Sequence, residues 1–270
     1  MFPTPRPLSE QEILDLIEGF GNTAAIAKKA GFKGVQIHGA HGYLVSQFLS
    51  SLTNQRTDRW GGTLENRARF VLEIYHNMRA KVGANYPIGI KINSADFQRG
   101  AFTEEESLEV IRMLSGAGID MIEVSGGTYE RAAMMGSQQK KSTQQREAYF
   151  ADFIVKARAV TQTPLMLTGG FRSVEVMAQA VENNELDFVG LARPFAINPF
   201  VAKELLEGKI QKAPTGNINT GIKAIDKMGM MDTVWHSANM RRMGAGKMPK
   251  PNLSPLATLA RYMWDNRKTF

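Results

Sequence analysis

The chain has 270 residues, of which 43% are hydrophobic and 22% charged, and it contains no cysteine. That composition suits a globular protein with a sizeable core, and the missing thiols exclude disulfides, thiolate zinc sites, cysteine nucleophiles and iron–sulfur ligation by this chain. The net charge of +7 is local: Lys209 to Phe270 hold 11 basic and 3 acidic residues against 22 and 23 elsewhere, so the tail could serve nucleic acid, an acidic partner or a phosphorylated ligand, or be a solvated surface segment. No run reaches the roughly 18 apolar residues of a membrane helix. The first ten residues lack the apolar core of a secretory signal, and a cytoplasmic location is the expectation.

In chain order, Pro3, Pro5 and Pro7 read as a linker. Residues 9–30 follow helical periodicity, with Ser9 and Glu12 at capping-box spacing. Gly34–His38 reads as a short strand, and a helix capped by Thr63 is expected over 64–82. Ile88–Asn93 is the second strand. Thr103 with Glu106 opens the next helix, and Met121–Ser125 forms the third strand. A polar loop over 128–146 and a helix over 147–160 lead to a strand at Leu165–Thr168. Ser173 is expected to cap a helix to about Asn183. A fifth strand spans Phe188–Ala192, and a short helix Pro199–Glu207. The remainder reads as irregular wrapping, with helical potential at Trp235–Met240 and a helix near 254–265. Seven of the 15 methionines lie in 228–263, a composition suited to packing or to an adaptable surface.

Short strands alternating with helices imply parallel βαβ units, in an α/β fold. Doubly wound sheets and (β/α)8 barrels both fit that rhythm. No G-x-G-x-x-G follows the first strand. Polar and glycine-rich clusters instead follow several strands, as in a barrel whose active site gathers at the strand C-termini.

Four constellations carry chemistry. His38, His41 and Tyr43 sit just past a strand end. Two imidazoles there can donate to one oxygen and a phenol can supply a proton. A metal reading lacks further ligands, and packing alone is the third reading. Asn54 to Phe70 is a charged loop entering a helix, read first as a network that braces the loop. Lys91 ends a strand, where it can be a Schiff-base nucleophile or a salt-bridge partner. Thr168–Arg172 and Gly190–Pro194 put glycines at two successive strand ends. Such turns bring backbone N–H groups to an anion, or serve only as tight turns.

The joined pattern GF-x-G-V-x-I-H-x-A-H-G-Y-L-x-x-Q-F-L, then N-x-R-T-D-x-x-G-G-x-x-E-N-R-x-R-F, resembles the Old Yellow Enzyme, or NADH:flavin oxidoreductase, family. The similarity continues in order to about Pro199. The resemblance implies a TIM (β/α)8-barrel type that binds FMN, takes hydride from NADH or NADPH and passes it to an activated alkene such as an enone. By position it implies that His38 and His41 bind the substrate carbonyl and that Tyr43 donates the proton. Lys91 then contacts the flavin ring edge, and Gly169, Gly170, Ala192 and Arg193 hold its phosphate, with Ala192 in place of a more usual glycine.

His38 falls where the family has its fourth strand, so the expectation is an incomplete barrel, strands four to eight, over residues 1–208, with a basic, Met-rich C-terminal extension over 209–270. An open sheet of this kind is expected to expose edges and an apolar inner side. A complementing chain, the rest of a longer chain or a homo-oligomer would then complete it. The substrate is expected to be a small unsaturated carbonyl compound, with no metal, nucleic acid or membrane partner. Two other readings are a non-catalytic partial barrel acting as an interaction module, and a flavin-free lyase or aldolase using Lys91.

Overall fold

The computed structural model describes residues 5–127, 150–216, 218–227 and 229–267. In chain order the elements are α1 (Glu10–Lys29), β1 (Val35–Gly39), α2 (Leu44–Leu49), α3 (Leu64–Val82), β2 (Ile88–Asn93), α4 (Glu104–Ala117), β3 (Met121–Ser125), α5 (Ala151–Arg158), β4 (Leu165–Thr168), α6 (Val174–Glu182), β5 (Phe188–Gly190), α7 (Arg193–Ile197), α8 (Val201–Leu206), α9 (Lys223–Lys227), α10 (Met230–Gly244) and α11 (Pro255–Asp265). The five strands form one sheet in sequence order, β1-β2-β3-β4-β5, and the pairs from β1 to β4 are parallel. The expected loop over 128–146 lies outside the described residues. Among the described residues no helix is long and apolar enough to cross a membrane.

The chain divides into two compact units: residues to Ala133 with Phe150–Leu167 and Asn184–Phe188, and the remainder with the whole tail. In the first unit, period-two alternation sorts the strand residues onto two faces. Ile37, Ile90, Ile122 and Leu165 are register partners, as are Ile92, Val124 and Leu167 in the next row. All seven are buried, as are Phe70, Val71 and Ile74 of α3 and Val110, Ile111 and Leu114 of α4. The other face carries Gln36, Gly89 and Met121 in one row and His38, Lys91, Glu123 and Met166 in the next. The expected apolar inner side is therefore corrected: within this unit that face is mostly polar, because each apolar strand position is followed by one of opposite orientation.

Local signals set the helix starts. Ser9 and Thr103 form complete capping boxes with Glu12 and Glu106, and Thr63 accepts from the Asn66 N–H. Ser173 occupies the N-cap of α6 but makes no side-chain capping bond. The first helical N–H, of Val174, donates to the Gln211 carbonyl at 3.0 Å, so a neighbouring segment satisfies one of the free donors at this helix start. The fifth strand stops at Gly190, and Ala192 turns into α7 at its N-cap. Helices α2 and α7 are too short for periodicity to reveal.

The loop from Asn54 to Phe70 is braced. Arg67 is buried and donates to the Leu49 carbonyl, to the Gly62 carbonyl at 3.3 Å and to Glu106, while Asn54 Nδ2 donates to the Phe48 and Trp60 carbonyls at 2.8 Å each. Arg56 pairs with Asp58 and reaches the Leu8 carbonyl at 2.6 Å. In the second unit, Trp235 is fully buried with Ile197, Met231 and Leu259, and its indole N–H donates to the Leu253 carbonyl at 2.8 Å. The helical potential at 235–240 becomes part of the 15-residue α10.

Arg67→Ala strands Glu106 and two carbonyls, and we expect it to lower the unfolding free energy by about 3 kcal/mol in a urea titration. Arg67→Lys should recover only part, because an ammonium lacks the planar fork that meets three acceptors.

Candidate active site

In the first unit the register puts His38, Lys91 and Glu123 side by side across three strands. Lys91 Nζ lies 2.9 Å from Glu123 Oε1. Gln36, two residues before His38 on the same face, donates from Nε2 to Glu123 Oε2 at 2.9 Å. Gly89, between Gln36 and Met121 in the adjoining row, leaves that path open, and a Cβ there would come within 3.3 Å of Met121.

Past β1 the chain turns sharply. His41 adopts φ 63° and Gly42 φ 80°. A left-handed conformation is costly for a side-chain-bearing residue and needs support. Asn93 at the end of β2 provides it. Its Oδ1 accepts the His41 N–H at 3.1 Å, and its Nδ2 donates to buried Asp96 at 2.8 Å. His41 Nε2 lies 2.8 Å from the hydroxyl of Ser125, a fully buried residue at the end of β3. The result brings three predicted residues together: the His38 ring centroid is 5.3 Å from that of His41 and 5.0 Å from that of Tyr43. Tyr43 is 44% exposed.

Burial, then the charge of Lys91, keeps the His38 pKa below its usual value. Burial, then His38 and Lys91, pushes His41 down to about 4. At neutral pH both rings are therefore neutral, each with one N–H donor and one acceptor nitrogen. Burial raises the pKa of Asp96. Two neutral imidazoles and a phenol so arranged can hydrogen-bond an oxygen that gains negative charge without adding a cation of their own.

Sequence reasoning missed Gln36, Asn93, Asp96, Glu123 and Ser125. Their signal was positional: each lies on the polar face or in a strand-end turn.

The second unit holds the other predicted group. Gly169 (φ 125°) and Gly170 (φ 90°) follow β4 in conformations that favour glycine, and bare backbone there admits close approach by a ligand. With Ala192 and Arg193 they line a cavity of about 440 Å³, the size of a small-molecule site. Arg193 Nη1 lies 3.4 Å from Asp232 Oδ1. Asp232 and His236, both buried, reach this cavity from α10. The sequence noted His236 only within a stretch of helical potential.

A ring-proton titration by NMR should place the His41 midpoint near 4. The linked stability follows from proton binding. Between about pH 6.5 and 4 the unfolded chain takes up a proton at this residue and the folded chain does not. Stability should therefore fall as pH drops through that window and level off below it, and His41→Gln should flatten this part of the profile.

The family model of the NADH:flavin oxidoreductase / NADH oxidase family matches residues 2–212. An NADH-dependent flavin oxidoreductase of Talaromyces variabilis is 39% identical over 211 residues, which cover 76% of this chain and 51% of that one. Among solved structures, a 2-naphthoyl-CoA reductase in complex with 2-naphthoyl-CoA has a TM-score of 0.71 at 32% identity, covering 77% of this chain and 32% of that one. An old yellow enzyme homologue from Zymomonas mobilis has a TM-score of 0.64 at 26% identity, covering 79% and 57%. The chain thus spans about half the length of this and other curated relatives that it matches. Its parallel strands and helices are a partial barrel of the TIM type. With the family model matching 211 of its 270 residues, the chain belongs to the NADH:flavin oxidoreductase / NADH oxidase family.

Proposed function

We propose that this chain carries the substrate and phosphate residues of an FMN-dependent oxidoreductase that uses NADH or NADPH to reduce an activated alkene of the enone type. The observation that carries the reading is the packed group His38, His41 and Tyr43, with His41 held neutral by burial. FMN, when bound, supplies the hydride that it has received from the nicotinamide.

The roles follow from the side chains. His38 and His41 hold the substrate carbonyl oxygen, and their N–H groups stabilise the charge that develops on it as hydride reaches the β-carbon. Tyr43 gives its proton to the α-carbon, so one hydride and one proton saturate the double bond. Ser125 and Asn93 fix the ring and backbone of His41. The glycine turn, Ala192 and Arg193 fit a flavin phosphate: the backbone is open, the cavity has the right scale and a guanidinium faces it. Lys91 belongs at the flavin ring edge. The Schiff-base reading makes a separate demand, that borohydride with a carbonyl substrate should label Lys91.

A second reading is a partial barrel that acts by binding another polypeptide. It is favoured by β1, which among the described residues pairs with a strand on one side only.

Titration of the 270-residue chain with FMN should yield a bound-flavin absorption band near ~450 nm that NADH or NADPH bleaches. His38→Ala with His41→Ala should cut enone turnover by at least about a hundredfold while leaving FMN affinity within a few-fold. Unchanged turnover in that variant would refute the assigned roles. No flavin bound at excess FMN would favour the interaction module.

A further inference from the structure

We propose that α10, beyond the segment matched by the family model, forms a wall of the anion cavity. In this assignment His236 contacts the terminal phosphate of the bound ligand and Asp232 is a positioning residue for Arg193. The inference rests on the flavin reading above, and deepens it by adding the tail to the site.

The cavity is lined on one side by the glycine turn and by Arg193, and on another by Asp232, His236 and Ser237 of α10. The first group lies within the family match at 2–212 and the second lies outside it. Asp232 and His236 are each 8% exposed, so neither is a solvated surface group. A buried aspartate needs a partner, and Arg193 is that partner, through one nitrogen at 3.4 Å. A guanidinium has five N–H donors in a rigid fork. Holding one corner of the fork restricts where the others point without using them up, and it lowers the entropy lost when an anion binds.

His236 is oriented just as narrowly. Its Nδ1 is 2.6 Å from the Asp232 carbonyl, which can only accept, so Nδ1 carries the proton. Nε2 is then the nitrogen left for a ligand. With the ring neutral it accepts from a singly protonated phosphate. With the ring protonated it donates to the dianion. A hydrogen bond forms in either case, and with the phosphate it is charge-assisted, which a neutral hydroxyl end cannot match.

The helix is held in rotation by Trp235, adjacent to His236. Its ring is fully buried and packs with Ile197 of α7, the helix that begins at Arg193. It also sits against Gly216, where a Cβ would come within 2.7 Å of the indole. Ile197 and Gly216 line the same cavity. Rotating α10 away from the cavity would therefore unpack the core of this unit.

The test compares FMN with riboflavin, which lacks the phosphate, by fluorescence quenching on the wild-type chain, Asp232→Asn and His236→Gln. His236→Gln should bind FMN about tenfold more weakly, the worth of one hydrogen bond to a charged group, and Asp232→Asn should also weaken FMN by freeing Arg193, both with riboflavin affinity unchanged. An equal loss for both ligands would mean that α10 only supports the fold, and an unchanged or increased FMN affinity would mean that Asp232 and His236 do not serve the phosphate; either overturns the proposal. If the wild type binds neither flavin, inorganic phosphate is titrated against the ring signals of the four histidines, with His236→Gln assigning its own. A shift of the His236 signal that Asp232→Asn weakens would sustain the anion wall and remove the flavin reading. No shift would remove both.

Discussion

The first unit depends on one constraint: a parallel strand must place consecutive side chains on opposite faces. Burying Ile37, Ile90, Ile122 and Leu165 as one row leaves no freedom for the residues between them. His38, Lys91 and Glu123 then fall on the other face, in register. A slip of one residue between β1 and β2 would bury His38 among the isoleucines and expose Ile37. The hydrophobic core and the polar row are therefore one structural fact seen from two sides.

That same alternation explains what could be read from the sequence. The strand positions, the two capping boxes and the Thr63 cap depend on residues close in sequence, and each was legible. The neighbourhood of His38, His41 and Tyr43 was legible too, because a strand end and a tight turn bring them together locally. Glu123 was not, since its meeting with Lys91 and Gln36 depends on strand register, which a single strand does not encode. The bond between Ser125 and His41 joins residues 84 apart. The expected Ser173 capping bond is not made, and the first N–H of that helix meets a carbonyl 37 residues away at Gln211, which nothing near Ser173 announces. His236 lay in a stretch read only as having helical potential, and its position against the cavity gives it another role.

The electrostatics of the polar row are balanced rather than strong. Lys91 is matched by Glu123, and the two imidazoles carry no charge at neutral pH. Any stabilisation of an oxyanion here comes from oriented N–H and O–H groups. Orientation is where the protein has invested buried polar groups: Ser125 at the ring of His41, Asn93 at its backbone and Asp96 behind Asn93. Charge alone would act at longer range and would be screened by salt, whereas fixed dipoles act only on an atom placed at hydrogen-bonding distance.

Backbone strain marks the same location. Among the described residues, three without glycine's freedom have positive φ: His41, Phe97 and Asn184. Two of the three lie in the turns that follow β1 and β2. Phe97, 49% exposed, stacks against Phe150 at 6.0 Å, and a Cβ on Gly126 would come within 3.0 Å of either ring. A left-handed phenylalanine costs on the order of 1–2 kcal/mol, and a histidine about as much. Packing alone would choose residues without that cost. The His41 turn keeps the strained conformation because Asn93 and Ser125 hold it, and that conformation is what aims the ring. The stability given up there is thus tied to the geometry on which the proposed chemistry depends.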